Sequence, residues 1–488
     1  MAKPLSTSAI VVGLIVAALL PAGAVNWPVF GFDPARSSYN SAETTLTPRN
    51  VYNLRERWQI ALTGVADSTP ILVQHVRIGR VYRKMLFQTT KGGVTLGIEA
   101  TTGKIVWKFT TSGPHYTHST PAADPSGKAI YAPGVDGMVH KLNASNGHEI
   151  HAAGFPKRVT RMPDSEAVES PLNVANGYLY ATTSGYDGDA PPYDGHVVSI
   201  NLTSGRATVF NSLCSNKRKL PGPHTCSSQL SGIWARGGAV VDPDSSMNGR
   251  IYAATGNGDF DANQGGFNYG DSVLSLSADL SNLLGSYTPT NYQQLQNGDV
   301  DLGSTSPAIL PAQPMSQTPW MLVQGGKDAV LKLVNRAALP GLGNELQLID
   351  LPQGLFSTPA VWSDASNNAW IFLGFPDLVA AYRLKTNGSG QSQLVEIWHT
   401  SGGNSDGEGS SPVVADGMVF AAFNGQIVAL NALNGSELWS SANYAKSIGP
   451  VHWESPIVVN GWVYCSDQSG NLTAFSLQSR ESAPLLRR

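Results

Sequence analysis

Eight short segments of this chain, spaced about fifty residues apart, each contain a small or hydroxyl residue, and all but one place a proline directly after it and before an apolar run. They are Ser68-Thr69-Pro70, Ser119-Thr120-Pro121, Glu169-Ser170-Pro171, a variant at Gly232-Ile233-Trp234, Ser304-Thr305-Ser306-Pro307, Ser357-Thr358-Pro359, Ser410-Ser411-Pro412 and Glu454-Ser455-Pro456. A unit of this length cannot bury its apolar face alone and must stack on its neighbours. Four short strands fit in each unit. The period therefore predicts an all-β fold, an eight-bladed β-propeller of four-stranded blades. A seven-bladed ring with one degenerate unit is the alternative.

The seventh unit displays the pattern most plainly. Pro412-Val413-Val414 opens an inner strand, Asp416-Gly417 turns, Met418 to Ala422 returns, Asn424-Gly425 turns again, and Gln426 to Leu430 is the third strand. Ala432 and Gly435 then lead to Trp439, and the same Ala-x-x-Gly-x-x-x-Trp recurs from Ala100 through Gly103 to Trp107. Glycine permits the positive dihedral of a tight hairpin, and an outer-strand indole can bury its surface between blades. The eighth unit, Pro456 to Leu477, lacks an outer strand ending in Trp. Leu54 to Ile60, which contains Trp58, precedes the first unit and supplies it. Pairing the two would close the ring and remove an exposed edge.

Eight such units consume nearly all of the 488 residues, which leaves room for one domain, residues 25–488, and no second sizeable one. Charged residues are 14% of the chain and the formal net charge is -3. That balance offers no electrostatic footprint for nucleic acid or for an anionic membrane surface. Residues 1–24 read as a signal peptide: Lys3, an apolar run from Ala9 to Leu20, and the small-x-small Ala22-Gly23-Ala24. An uncleaved N-terminal anchor is the alternative. Cleavage would give an exported chain, periplasmic or secreted, with no membrane span in its mature part. In that oxidising setting Cys214 and Cys226, which flank Ser215 to Thr225, would form a disulfide, the alternative being two thiols. Cys465 reads as a small buried hydrophobe. No Cys-x-x-Cys-His occurs, so covalent haem is excluded.

The third and fourth units are enlarged by insertions at Gly185 to Asp194, Leu213 to Leu230, Asp259 to Tyr269 and Leu283 to Asp299. Insertions in a propeller fall in loops at its faces, where ligands meet the scaffold. At this point the chain resembles the quinoprotein alcohol dehydrogenases, which hold pyrroloquinoline quinone (PQQ) and calcium over an eight-bladed propeller. The resemblance spans almost the whole mature chain. It begins at Asn26 to Tyr39, similar to the family's opening Trp-x-x-x-Gly-x-Asp, and continues through Asn50 to Leu54 and Trp58. Without a haem domain, the chain is most similar to the soluble branch that includes polyvinyl-alcohol dehydrogenases.

The resemblance implies a set of site residues. Thr255-Gly256-Asn257-Gly258 resembles the segment whose Asn binds calcium; an amide oxygen suits a hard cation, although Asn-Gly also makes ordinary hairpins. Asp301 lies six residues before Pro307, the family spacing for the catalytic aspartate, which would accept an alcohol's proton and ligate calcium. A turn-forming Asp is the alternative, with Asp299 a substitute. Lys327 resembles the cation on the quinone oxygens, the alternative being a solvated loop lysine. Trp234 is a candidate for the indole on the quinone face, two positions from the family register, and otherwise a packing residue. Asp67, three residues before Pro70, stands where the family carries a longer Glu.

The departures are as informative. The family's adjacent cysteine pair is absent, since this region reads His115-Tyr116-Thr117-His118-Ser119, and its cofactor-binding arginine is not recognisable. Asp189, or else Asp187 or Asp194, would replace the calcium-binding Glu, the alternative being an ordinary Asp/Gly loop. Two functions follow as expectations. One is an exported PQQ- and calcium-dependent dehydrogenase acting on a small or polymeric alcohol, with electrons passed to a separate cytochrome. The other is a non-catalytic propeller serving as a binding or assembly scaffold in the cell envelope.

Overall fold

Each repeat folds as one small antiparallel sheet, and the eight sheets stand in a ring as an eight-bladed propeller. The computed structural model describes residues 25–477 except 404, 406, 424 and 444–446. The expected signal segment, residues 1–24, lies outside the described residues. No helix among the described residues is long and apolar enough to cross a membrane.

Blade 1 runs Ile71–Ile78, Val81–Thr89, Val94–Glu99 and Ile105–Thr110 from the axis outward. Blade 8 has three strands of its own, Ile457–Val459, Trp462–Ser466 and Asn471–Leu477, and takes Leu54–Ala61 as its fourth through an antiparallel pairing that matches Trp58 with Ala474. The closure expected from the sequence is thus made by a full strand. The pairing joins strands from near the two ends of the described chain in one blade and so closes the ring.

The repeated Ala-x-x-Gly and Trp act together across blades rather than within one. Trp58 of blade 8 donates its indole N–H to Ala100 O of blade 1 at 3.2 Å, Trp107 of blade 1 to Ala144 O of blade 2 at 2.9 Å, and Trp398 of blade 6 to Ala432 O of blade 7 at 3.0 Å. Each indole lies against the glycine three residues beyond that alanine. A Cβ on Gly147 would stand 2.4 Å from the Trp107 ring, and one on Gly435 would stand 2.6 Å from Trp398. The glycine therefore answers two needs, a φ of about +72° in the turn and room for the neighbour's indole.

The hydroxyls of the repeated Ser/Thr-Pro openings form a second lock around the axis. Thr69 N–H donates to Thr120 Oγ1, Ser119 Oγ to Ser170 O, Ser170 Oγ to Ile233 O, Gly237 N–H to Ser306 Oγ, Thr305 Oγ1 to Ser357 O, Thr358 N–H to Ser411 Oγ and Ser411 N–H to Ser455 Oγ, all within 3.0 Å. Ser466 Oγ completes the circuit by donating to Ser68 O. Small hydroxyl side chains satisfy buried backbone groups where the blades crowd together.

Beyond this belt, on the side of the inner strands, residues 25–43 thread across the ring. Trp27 pairs with Leu72 of blade 1, Pro28 O accepts from Ala123 of blade 2, Pro34 O from Val241 of blade 4, Ser37 O from Val361 of blade 6, and Tyr39–Asn40 adds a short parallel strand to blade 7. Arg36 is buried at 1% exposure and donates to four carbonyls, Phe30 O, Pro171 O, Leu172 O and Gly237 O. One mouth of the central channel is plugged by the chain's own beginning, and the other carries the site.

Candidate functional site

The residues that precede the opening prolines gather at the other mouth around a cavity of about 600 Å³. Asp301 anchors it. Its Oδ1 accepts the Asn257 N–H at 2.6 Å, and its Oδ2 lies 2.5 Å from Lys327 Nζ. The backbone repeats the arrangement, with Lys327 N–H donating to Asp301 O at 2.9 Å. Asn257 follows the blade 4 strand Ile251–Ala254 and Lys327 follows the blade 5 strand Met321–Gln324, so the carboxylate ties two blades together. The approach needs glycine at 256, because a Cβ there would meet Asp301 Oδ1 at 2.4 Å. Behind it, Asp271 Oδ1 accepts the Leu302 N–H at 3.0 Å, and burial lifts the Asp271 carboxyl to about 8.

Trp234 forms an aromatic floor. Lys327 Nζ stands 5.3 Å from its ring centroid, Trp453 stacks on it at 6.0 Å and 29°, and Phe356 lies at 6.2 Å. Of the three aspartates of the blade 3 loop, Asp187 and Asp189 border the cavity, and Asp189 Oδ1 accepts the Tyr193 hydroxyl at 2.5 Å. Asp194 is instead buried, with Glu166 beside it. Burial would push the Lys327 ammonium down, but Asp301, Asp299 and Asp189 outweigh it and hold it above its ordinary value. The five residues Asn257, Asp301, Lys327, Trp234 and Asp189 thus converge on one cavity.

Asp67 sits deeper. It is fully buried, accepts the Trp453 N–H at 3.0 Å and His452 Nδ1 at 2.8 Å, and has His118 Nε2 and Lys91 Nζ each at 3.4 Å. It therefore addresses the cavity through His452. Around it the structure reveals a network that the sequence reading passed over. His118 pairs with Glu169, while Arg236 pairs with Glu408 at 2.9 Å and lies 5.2 Å from the Trp453 ring. A signal for part of this network exists in the sequence. His118, Phe356 and Trp453 each lie three residues before an opening proline, the repeat position of Asp67.

Two observations bear on what the cavity can hold. Glu169 Oε2 and Trp453 Nε1 are buried without a hydrogen-bond partner, and both residues line it. A ligand with polar edges and a flat face would satisfy them. The oxygen donors Asn257, Asp301 and Asp189 have the chemistry of a hard-cation site. Among the described residues no three His, Cys, Asp or Glu side chains converge on one point, so the ligand itself would have to complete a cation's coordination. The wall opposite Trp234 carries no cysteine pair; Cys214 and Cys226 are instead joined to each other with Cα atoms 5.5 Å apart, and Cys465 is buried and free.

The floor network makes stability depend on pH. Burial pushes the His452 imidazole down, but Asp67 and Glu408 outweigh it and raise it to about 9. In an unfolded chain histidine titrates near 6.5. A pKa raised by folding contributes stability that is complete below about pH 6.5 and is lost as pH climbs through about 9. The urea midpoint should therefore fall between pH 6.5 and 9, and less steeply in His452→Gln. Equal slopes in the two proteins would dismiss the ion pair.

No curated protein sequence matches this one. Among solved structures, the quinohemoprotein alcohol dehydrogenase ADHIIG of Pseudomonas putida HK5 is 14% identical, with a TM-score of 0.66 over 95% of this chain and 82% of that one. A europium-containing methanol dehydrogenase is 14% identical, TM-score 0.64, over 93% and 98% of the two chains. BamB of Moraxella catarrhalis is 12% identical, TM-score 0.51, over 87% and 99%. At these identities the likeness is one of fold. A family model described as outer membrane protein assembly factor BamB matches residues 53–255 and 390–483, more than half of the sequence. The chain belongs to this PQQ-type propeller family.

Proposed function

We propose that the protein is a quinoprotein-type dehydrogenase that oxidises an alcohol at the open mouth of its propeller. The observation that carries this reading is the joining of Asp301, Asn257 and Lys327 over Trp234, which brings a carboxylate, an amide and a cation to one aromatic floor in a solvent-facing cavity. The flat floor and the unpartnered Glu169 Oε2 and Trp453 Nε1 suit a planar, polar-edged cofactor such as PQQ. Trp234 would support its face, Lys327 its oxygens, and Asn257, Asp301 and Asp189 a calcium ion. When bound, the quinone supplies the two-electron oxidant and calcium the Lewis acid.

The chain's own residues handle the substrate proton. A hydroxyl entering beside Trp234 meets Asp301, whose carboxylate accepts the proton as the carbon is oxidised. Lys327 at 2.5 Å provides the counter-charge, and its tether to Asp299 O at 3.3 Å holds it in place. The reading includes export by the N-terminal segment, a periplasmic or secreted location, and a separate cytochrome as electron acceptor; among relatives it leans toward the polyvinyl-alcohol dehydrogenase-like branch.

A second reading, a non-catalytic scaffold, is favoured by the description of the matching family and by the mutual pairing of Asp67, His452, Glu408 and Arg236. Titration of the purified protein with PQQ and calcium separates the two. Quenching of tryptophan fluorescence at micromolar quinone, lost in Trp234→Ala, is expected for the dehydrogenase. Absence of binding at high micromolar quinone leaves the scaffold.

A further inference from the structure

Next to the cavity, and sharing Tyr186 and Asp187 with it, lies a groove of about 660 Å³. Its wall is aromatic. His115 and Tyr186 rings lie 4.4 Å apart and Tyr116 and Tyr186 5.1 Å apart. Their polar tips are already used within the protein. The Tyr186 hydroxyl donates to Pro163 O at 2.8 Å, the Tyr116 hydroxyl accepts the Asp187 N–H at 2.7 Å, and His115 Nε2 meets Asp164 O at 3.1 Å. What remains for a ligand is mainly ring surface, with the Tyr116 O–H as a donor. The rim adds exposed Arg161, Asp164 and Asp187, one cation against two carboxylates.

This combination selects among ligands. An acyl chain would use the ring surface and leave the rim charges idle. A proline-rich peptide needs a series of hydrogen-bond donors along its carbonyls, and the Tyr186 O–H is already committed to Pro163 O, which leaves that of Tyr116. A sugar ring presents an apolar C–H face to an aromatic plane and a fringe of hydroxyls that donate to carboxylates and accept from a guanidinium. The mixed rim charge gives no preference for an acidic sugar.

We propose that the groove is a subsite for a neutral oligosaccharide, which lays a sugar ring on Tyr186 and His115 and directs the neighbouring unit into the cavity. The substrate part of this proposal rests on the dehydrogenase reading, making the alcohol a hydroxyl of a sugar chain. The binding part does not.

Calorimetric titration of the purified full chain, without added quinone, tests it with cellohexaose, maltohexaose and chitohexaose against their monosaccharides. At least one hexasaccharide should bind tenfold or more tightly than its monomer. His115→Ala and Arg161→Ala, both at exposed positions, should each weaken that binding about fivefold while leaving the urea midpoint unchanged. The proposal is overturned if no hexasaccharide exceeds its monomer, if both variants bind like the parent, or if a decaproline peptide binds tighter than every sugar. Sugar binding without quinone binding would sink the dehydrogenase and keep the groove; quinone binding without sugar binding would do the reverse.

Discussion

Replacing Arg36 with alanine is expected to lower the stability of the propeller by roughly 4 kcal/mol. The guanidinium is fully buried and its Nε, Nη1 and Nη2 reach four backbone carbonyls at 2.6 to 3.0 Å. Two belong to blade 3 and one to the start of blade 4, while the fourth, Phe30 O, belongs to the plug itself. An alanine leaves all four acceptors without this donor in a space closed to bulk water, at about 1 kcal/mol or more for each. Lysine should recover only part of the loss, since one ammonium cannot span the fan that a planar fork covers. Urea unfolding followed by tryptophan fluorescence reads the effect directly. A midpoint within experimental error of the parent would mean that the plug is an ornament and that the blades hold one another without it.

Arg36 belongs to a segment whose structural role has no signature in the repeat. The fold was legible because its determinants are periodic. Ser/Thr-Pro marks each blade's start, and the Trp after Ala-x-x-Gly marks its outer strand, as Trp107 and Trp439 show. Closure was legible because the count left Leu54–Ala61 without a blade and blade 8 without a strand. Residues 25–43 follow no period; they touch a different blade every few residues, and contacts so distributed leave no pattern in a linear sequence. The same reasoning explains the site. Asn257, Asp301 and Lys327 are implied by a family resemblance and meet through bonds that span 44 residues from Asn257 to Asp301 and 26 from Asp301 to Lys327. Asp67 and His452 are 385 residues apart, neighbours only because the ring closes. His118 and Trp453 shared a repeat position with Asp67, so aligning the units on their prolines would have exposed them. Arg236 and Glu408 offered no such clue, because their pairing crosses from blade 4 to the loop before blade 7.

In quinone-loaded protein, Asp301→Asn should reduce turnover by on the order of a thousandfold while the quinone stays bound. The substitution is nearly isosteric. An amide oxygen can still accept the Asn257 N–H now held at 2.6 Å, so the Gly256 turn and the cavity wall keep their shape. What is lost is the proton acceptor and the partner of Lys327. Dye-linked alcohol oxidation reports the first loss, and fluorescence titration with quinone confirms that the site is still filled. The alternative base is Asp299, whose carboxylate lies 3.5 Å from the same ammonium. Burial separates the two candidates: the Asp301 side chain is 4% exposed and the Asp299 side chain 62%. A carboxylate in open water transfers protons to solvent as readily as to a substrate and gains little from its position, whereas one enclosed beside the indole floor meets only what enters the cavity. Asp299→Asn should therefore lower turnover no more than about threefold, through a looser Lys327. If that variant is the inactive one and Asp301→Asn retains more than a tenth of parental turnover, the roles assigned to the two carboxylates are reversed.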